Sequence, residues 1–255
     1  MAEVLNCDLP TEAGWPCSLK HGEQTYHVPR NLVPDHFAGE DDDAGHKVRY
    51  RWPIAAGVQG WLDVTRFPDG GAVEWLLGLE NVGDRDSAVI EDIRVLDLSL
   101  NGPLPDEAEA AVDSCDELQP SRAAWGLRSA PFVLHRTAGP PAAATDFESR
   151  KVGLLPGAQC VLRAGGGRSS DRDLPFFRID SGDGSMIIAV GWSGQWCATL
   201  DVTPDGQALH VRVGMEHARF YLRPGEHVRL PRVLMLTDPE VSPRVNVRFR
   251  RLLRD

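Results

Sequence analysis

The stretch GGGRSSDRDLPFFRIDSGDGSMIIAVGWSGQW, from Gly165 to Trp196, decides the fold. Its centre holds two apolar runs, LPFFRID and SMIIAVGW, joined by Ser181-Gly182-Asp183-Gly184. Turn formers between two such runs predict an antiparallel hairpin. Polar loops flank it. Three glycines before Arg168 let the backbone approach a partner closely, or take positive φ, at no Cβ cost. Trp192 and Trp196 lie four apart around Ser-Gly-Gln, a loop spacing rather than a strand alternation. Large aromatics beside glycines on polar loops suit a sugar ring or another protein surface, and the residues leave both uses open.

The same pattern extends outward. KVRYRWP, GWLDVTRF and AVEWLLGLE alternate with turn signals such as Pro68-Asp69-Gly70-Gly71. Val48, Tyr50 and Trp52 share one face of the first run; in the second, Trp61, Asp63 and Thr65 oppose Leu62, Val64 and Arg66. That alternation marks a sheet with one covered face. Ala88–Leu100 reads as a long strand. KVGLL, AQCVLRA, Gln195–Val202, Ala208–Val213, HARFYL and EHVRLPRVLMLT follow, with turns at Pro156-Gly157, Pro204-Asp205-Gly206 and Arg223-Pro224-Gly225. Strands at short, regular spacing without alternating helices predict an all-β antiparallel sandwich. Residues 1–46, interrupted by Pro10, Pro16, Pro29 and Pro34, read as loop-rich. PDEAEAAVDSCDEL offers a short helix after Pro105, and Arg244–Asp255 a basic, helix-compatible end.

Composition narrows the function. The 255 residues carry 27 Lys+Arg against 37 Asp+Glu, a formal net charge of −10. Nucleic acids and anionic membranes want clustered positive charge, so neither is an expected partner. No apolar run approaches the ~18 residues of a membrane span, and the acidic amino terminus lacks the basic and apolar regions of a secretory signal. Five scattered cysteines without a C-x-x-C read as reduced thiols in a cytoplasmic protein.

The chemical readings fall away in turn. Glu40-Asp41-Asp42-Asp43 lacks the spacing of a calcium loop and reads as a solvated acidic run. Gly191-Trp192-Ser193-Gly194-Gln195 lacks the second glycine of a nucleophile elbow and leads into a strand rather than a helix. Arg168-Ser169-Ser170 lacks the Gly-Lys-Ser/Thr of a phosphate loop, although an anion-binding nest remains geometrically open. The histidines show no zinc spacing, and neither a metal nor a cofactor is expected. Glu74, Glu91, Asp92, Asp97, Asp171, Asp173, Asp201 and Glu216 are the carboxylates from which a hydrolytic pair would be drawn. Glu74 and Asp97, between apolar neighbours, lead that set, although half-buried strands carry such residues on their polar outer face. Trp52, Trp61, Trp75 and Trp125 read as core.

TRFPDGGAVEWLLGLENVGDRDSAVIEDIRVLDL, GGRSSDRDLPFF, IIAVGWSGQW, GME and RPGEHVRLPRVLML, in that order, resemble the amino-terminal domain of the α-galactosidase-like enzymes of glycoside hydrolase family 36. The resemblance spans roughly residues 20–253. It implies a β-supersandwich over 47–243, the 1–46 segment packed on it, and a helix or linker stub over 244–255. In that family the sandwich precedes a catalytic (β/α)₈ barrel carrying an aspartate nucleophile and an aspartate acid/base. This sequence ends where the barrel would begin, so the resemblance assigns no catalytic residue here. Asp171 also stands where it would place an asparagine. The resemblance implies an accessory domain, not an enzyme by itself, partnered by a catalytic barrel or a carbohydrate, with contacts between its own copies as a further role. The candidate surface comprises Arg168, Ser169, Asp171, Trp192, Gln195 and Trp196. A free-standing carbohydrate-binding module and a small glycoside-active enzyme are the rival readings.

Overall fold

The computed structural model describes residues 14–254 apart from 30, 33, 43–44, 69–70, 103–129 and 141. In chain order the strands are β1 (Ser18–His21), β2 (Gln24–His27), β3 (Pro34–Asp42), β4 (Gly45–Ala55), β5 (Val58–Arg66), β6 (Ala72–Asn81), β7 (Ile90–Asn101) and β8 (Phe132–Thr137). Then come β9 (Ser149–Leu154), β10 (Gln159–Arg163), β11 (Phe176–Ser181), β12 (Gly184–Gly191), β13 (Trp196–Val202), β14 (Ala208–Met215), β15 (Arg219–Phe220) and β16 (His227–Asp238), closed by helix α1 (Arg244–Arg254). They form two antiparallel sheets. The smaller runs β10-β13-β14-β7-β1-β2, with β15 on β7; the larger runs β3-β4-β5-β6-β16-β12-β11-β8-β9. The predicted all-β sandwich is present, and its central hairpin closes at Ser181↔Gly184.

Side-chain alternation explains the packing. Along β6, Val73, Trp75, Leu77 and Leu79 point into the core between the sheets. Along β12, Met186, Ile188 and Val190 do the same, while Ile187 belongs to a second apolar cluster with Leu234, Leu236, Val245 and Phe249. That second cluster lies under α1. The unbroken run Met186–Val190 is therefore a strand covered on both faces, by the opposite sheet and by the helix. Each fully buried aliphatic side chain contributes about 1.5–3 kcal/mol relative to exposure.

The carboxy-terminal segment, helix-compatible by its sequence, forms helix α1. Val245 and Phe249 are buried, and Leu252 packs beside them. Ser242 Oγ accepts from the Arg244 N–H at 3.2 Å, meeting one otherwise unpaired donor of the first turn. Arg251 and Arg254 in the last turn suit its negative end. Arg248 ties the helix to the sheet through the Thr237 carbonyl (3.0 Å) and Asp238 (3.2 Å).

Several expectations change. The segment 1–46 is not loop-rich where it is described: it contains β1, β2, β3 and the start of β4. Pro34 opens β3 rather than interrupting it, a position where a missing N–H is tolerated. HARFYL shortens to the two-residue β15, and β8 is an additional strand. Trp52 and Trp75 are in the inter-sheet core. Trp61 is buried too, but on the outer face, over Gly78 and beneath the Arg49 guanidinium 4.9 Å from its ring centroid. A Cβ at Gly78 would overlap that indole, so glycine is required there. Trp125 and the predicted helix after Pro105 lie outside the described residues.

Candidate functional site

Pairing register brings the two loops together. Arg163 at the end of β10 faces Cys197 near the start of β13, and Trp196 faces Met215 at the end of β14. The Ala164–Pro175 loop, the Trp192–Gln195 loop and Glu216 therefore leave the small sheet at one end.

Gln195 is the fastener. Its Nε2 donates to the Ala164 carbonyl and to Glu216 Oε2, both at 2.6 Å, and its Oε1 accepts the Gly167 N–H at 2.9 Å. The other Glu216 oxygen accepts from Arg163 at 3.2 Å. Trp196 Nε1 donates to the Ser169 carbonyl at 2.6 Å. At the far side of the loop, Gly139 N–H donates to the Arg172 carbonyl and Leu174 N–H to the Thr137 carbonyl.

Asp173 anchors the base. It is buried, accepts the Arg163 N–H at 3.0 Å and faces Arg136 at 3.1 Å. Burial raises its carboxyl above the ordinary value, opposed chiefly by the Arg136 charge. Asp171 turns back over the glycines: a Cβ on Gly166 would overlap its Oδ2. Its Oδ1 is buried without a hydrogen-bond partner, and Arg168 stands 3.7 Å from Oδ2.

Of the six sequence-predicted residues, five meet here: Arg168, Ser169, Asp171, Gln195 and Trp196. Their roles differ. Arg168 reaches solvent with 75% of its side chain exposed. Trp196 has no exposed face, so it is a core residue and offers no platform to a sugar or a protein. Its hydrophobic area outweighs the polarity of its sequence neighbours, and its N–H still finds a partner, as buried tryptophans require. An anion nest in the glycine loop is weakened because the Gly167 N–H is already engaged.

Trp192 goes elsewhere. It packs partly against the main core and lines a cavity of about 640 Å³ on the outer face of the large sheet. Arg51, Trp61, Glu80 and Arg229 also line it. Arg49, on the same wall, is held by Asp63 at 2.6 Å. Sequence reasoning did not connect Trp192 with these residues, because β4, β5 and β16 meet it only through sheet order. Arg163 was missed and Glu216 appeared only as one carboxylate among eight; the GME turn after an alternating strand was the available signal.

The leading carboxylates do not converge. Glu74 is on the large sheet, bound to Arg232 at 3.0 Å. Asp97 is on the small sheet and accepts from Ser18 Oγ at 2.9 Å. A retaining pair needs roughly 5–5.5 Å across one open cleft. Among the described residues no group of three or more His, Cys, Asp or Glu is placed to hold a metal. Among the described residues no helix is long and apolar enough to cross a membrane.

Comparison of the fold with solved structures is decisive where sequence comparison is silent. The α-galactosidase AgaA of Geobacillus stearothermophilus, of glycoside hydrolase family 36 and solved with stachyose, superposes with a TM-score of 0.65 at 14% identity. The chain has the fold of one part of such an enzyme. The match takes in 95% of this chain and 32% of AgaA. The α-galactosidase of Lactobacillus brevis gives 0.62 at 13% identity, with 89% and 29% covered. The galactosidase domain of the α-galactosidase-sucrose kinase AgaSK gives 0.59 at 12%, with 90% and 30% covered. No family model and no curated protein sequence matches. The chain thus spans about a third of the length of the solved structures it resembles.

Proposed function

We propose that this chain is a non-catalytic accessory β-sandwich that works beside a catalytic barrel of the α-galactosidase type, shaping its active-site entrance or its subunit contacts. The carrying observation is coverage: the fold match uses 95% of this chain and only 32% of AgaA. The fastened loops suit the role. A rigid loop loses little conformational entropy on docking, and the exposed Arg168 is available to a partner. Separation of Glu74 and Asp97 on different sheets supports the non-catalytic side of the reading. Five scattered cysteines without a C-x-x-C, read as reduced thiols, support a cytoplasmic setting. The test is the mass and subunit content of the native protein. A species well above the 28.0 kDa of this chain, containing barrel sequence, is expected. A native species built from this chain alone would overturn the assignment.

A second reading has one observation in its favour. The Trp192 cavity combines an indole with arginines and Glu80, the mixture that a sugar-binding pocket uses. Titration with galactosides, read by tryptophan fluorescence, separates the two. Saturable quenching lost in Trp192→Ala supports a carbohydrate-binding module, and no change up to millimolar sugar removes it.

A further inference from the structure

A second cavity, of about 490 Å³, lies between α1 and the β8–β9–β11 side of the large sheet. Lys151, Arg178 and Arg250 line it together with Arg136, Arg150 and His135. No carboxylate is among the described residues of its lining, in a chain of formal net charge −10. Concentrated positive charge here runs against the composition of the whole.

Internal pairs account for only part of it. Arg136 faces Asp173, Arg150 faces Glu148 at 2.9 Å, and Arg178 faces Asp180 at 2.9 Å. Lys151 has no carboxylate partner among the described residues. Neither has Arg250, whose Nε donates only to the Asn246 carbonyl at 3.4 Å. Arg178 is 9% exposed, and its buried Nε has no hydrogen-bond partner. A buried donor without an acceptor costs stability unless something meets it. Beside these cations, Phe176 and Phe249 form an apolar wall with ring centroids 5.7 Å apart, and Phe176 is still 37% exposed.

We propose that this cavity binds a small organic phosphate ester, its phosphate against Lys151, Arg250 and Arg178 and its apolar part on Phe176 and Phe249. A phosphate dianion matches the two uncompensated cations in charge. Its three terminal oxygens supply acceptors for a guanidinium fork, an ammonium and the unmet Nε–H. A carboxylate carries one charge and fewer acceptors. An inorganic ion leaves the aromatic wall unused.

Calorimetric titration of the full chain with phenyl phosphate, inorganic phosphate, benzoate and phenol tests this. Phenyl phosphate is expected to bind at least about tenfold more tightly than the other three. The double variant Lys151→Glu/Arg250→Glu should lose at least about tenfold of that affinity with an unchanged Tm, while Arg219→Ala on the small sheet should bind as the parent does. Should the double variant misfold, Lys151→Ala and perturbation of the Phe176 and Phe249 amide resonances in the parent chain provide the reading. Absence of phenyl phosphate binding at millimolar concentration, equal binding of inorganic phosphate or benzoate, or affinity indifferent to Lys151 and Arg250 would each overturn the assignment.

Discussion

The indole N–H of Trp196 donates to the carbonyl of Ser169 at 2.6 Å, across 27 residues of chain. One buried side chain therefore fills the core at the start of β13 and holds the glycine loop above it. Trp196→Phe keeps most of the apolar area but leaves that carbonyl without its donor. A loss of about 1–3 kcal/mol in denaturant unfolding is expected, with faster amide exchange across Arg168–Asp171. Unchanged exchange there would show that the indole does not hold the loop.

Gln195→Glu tests the fastener itself. The substitution replaces the amide that donates to Ala164 and Glu216 with a carboxylate facing another carboxylate. The expected cost is about 1–3 kcal/mol, larger at neutral pH than in mild acid. Amide exchange at Gly167 should change less than the global stability does, since a glutamate oxygen can still accept its N–H.

Gly78→Ala should displace Trp61 from the outer face, because the new methyl overlaps the ring. Overpacking of this kind costs about 1–3 kcal/mol. Release of Trp61 from beneath Arg49 should also red-shift the fluorescence, and a blue shift would argue against it.

Acid sensitivity should trace to Asp180. Burial raises its carboxyl, but hydrogen bonds from His135 and Ser185 and the charge of Arg178 outweigh that, leaving it below the ordinary 3.8. A depressed folded value means that the contribution is complete above pH 3.8 and is lost as pH falls through the folded value. The stability difference between the parent chain and Asp180→Asn should therefore shrink on acidification below that point. Asp173 works in the opposite sense: its penalty as a buried anion is relieved as pH falls through its raised value.

Much of the sandwich was legible because alternation and turns act locally. KVRYRWP and GWLDVTRF declare their inner faces, and Ser181–Gly184 declares its hairpin. The run Met186–Val190 even held a signal of the helix above it, since only a strand covered on both sides tolerates unbroken apolar sequence. Other features depend on partners distant in sequence. Trp61 is buried on the outer face because Gly78 leaves room for it, and Trp192 joins a cavity built by β4, β5 and β16. The convergence of Arg163, Gln195 and Glu216 required the β10-β13-β14 order. β1 and β2 escaped notice because short strands near prolines look like loop, and they gain their pairing from β7 and from each other.

The most direct test compares α-galactoside turnover in two samples. One is the isolated 255-residue chain; the other is the protein purified by a tag on this chain from the cells that make it. Nitrophenyl α-galactoside should be untouched by the first and hydrolysed by the second. Turnover by the isolated chain, abolished by Glu74→Gln or Asp97→Asn, would contradict the accessory role, and so would an inactive native sample.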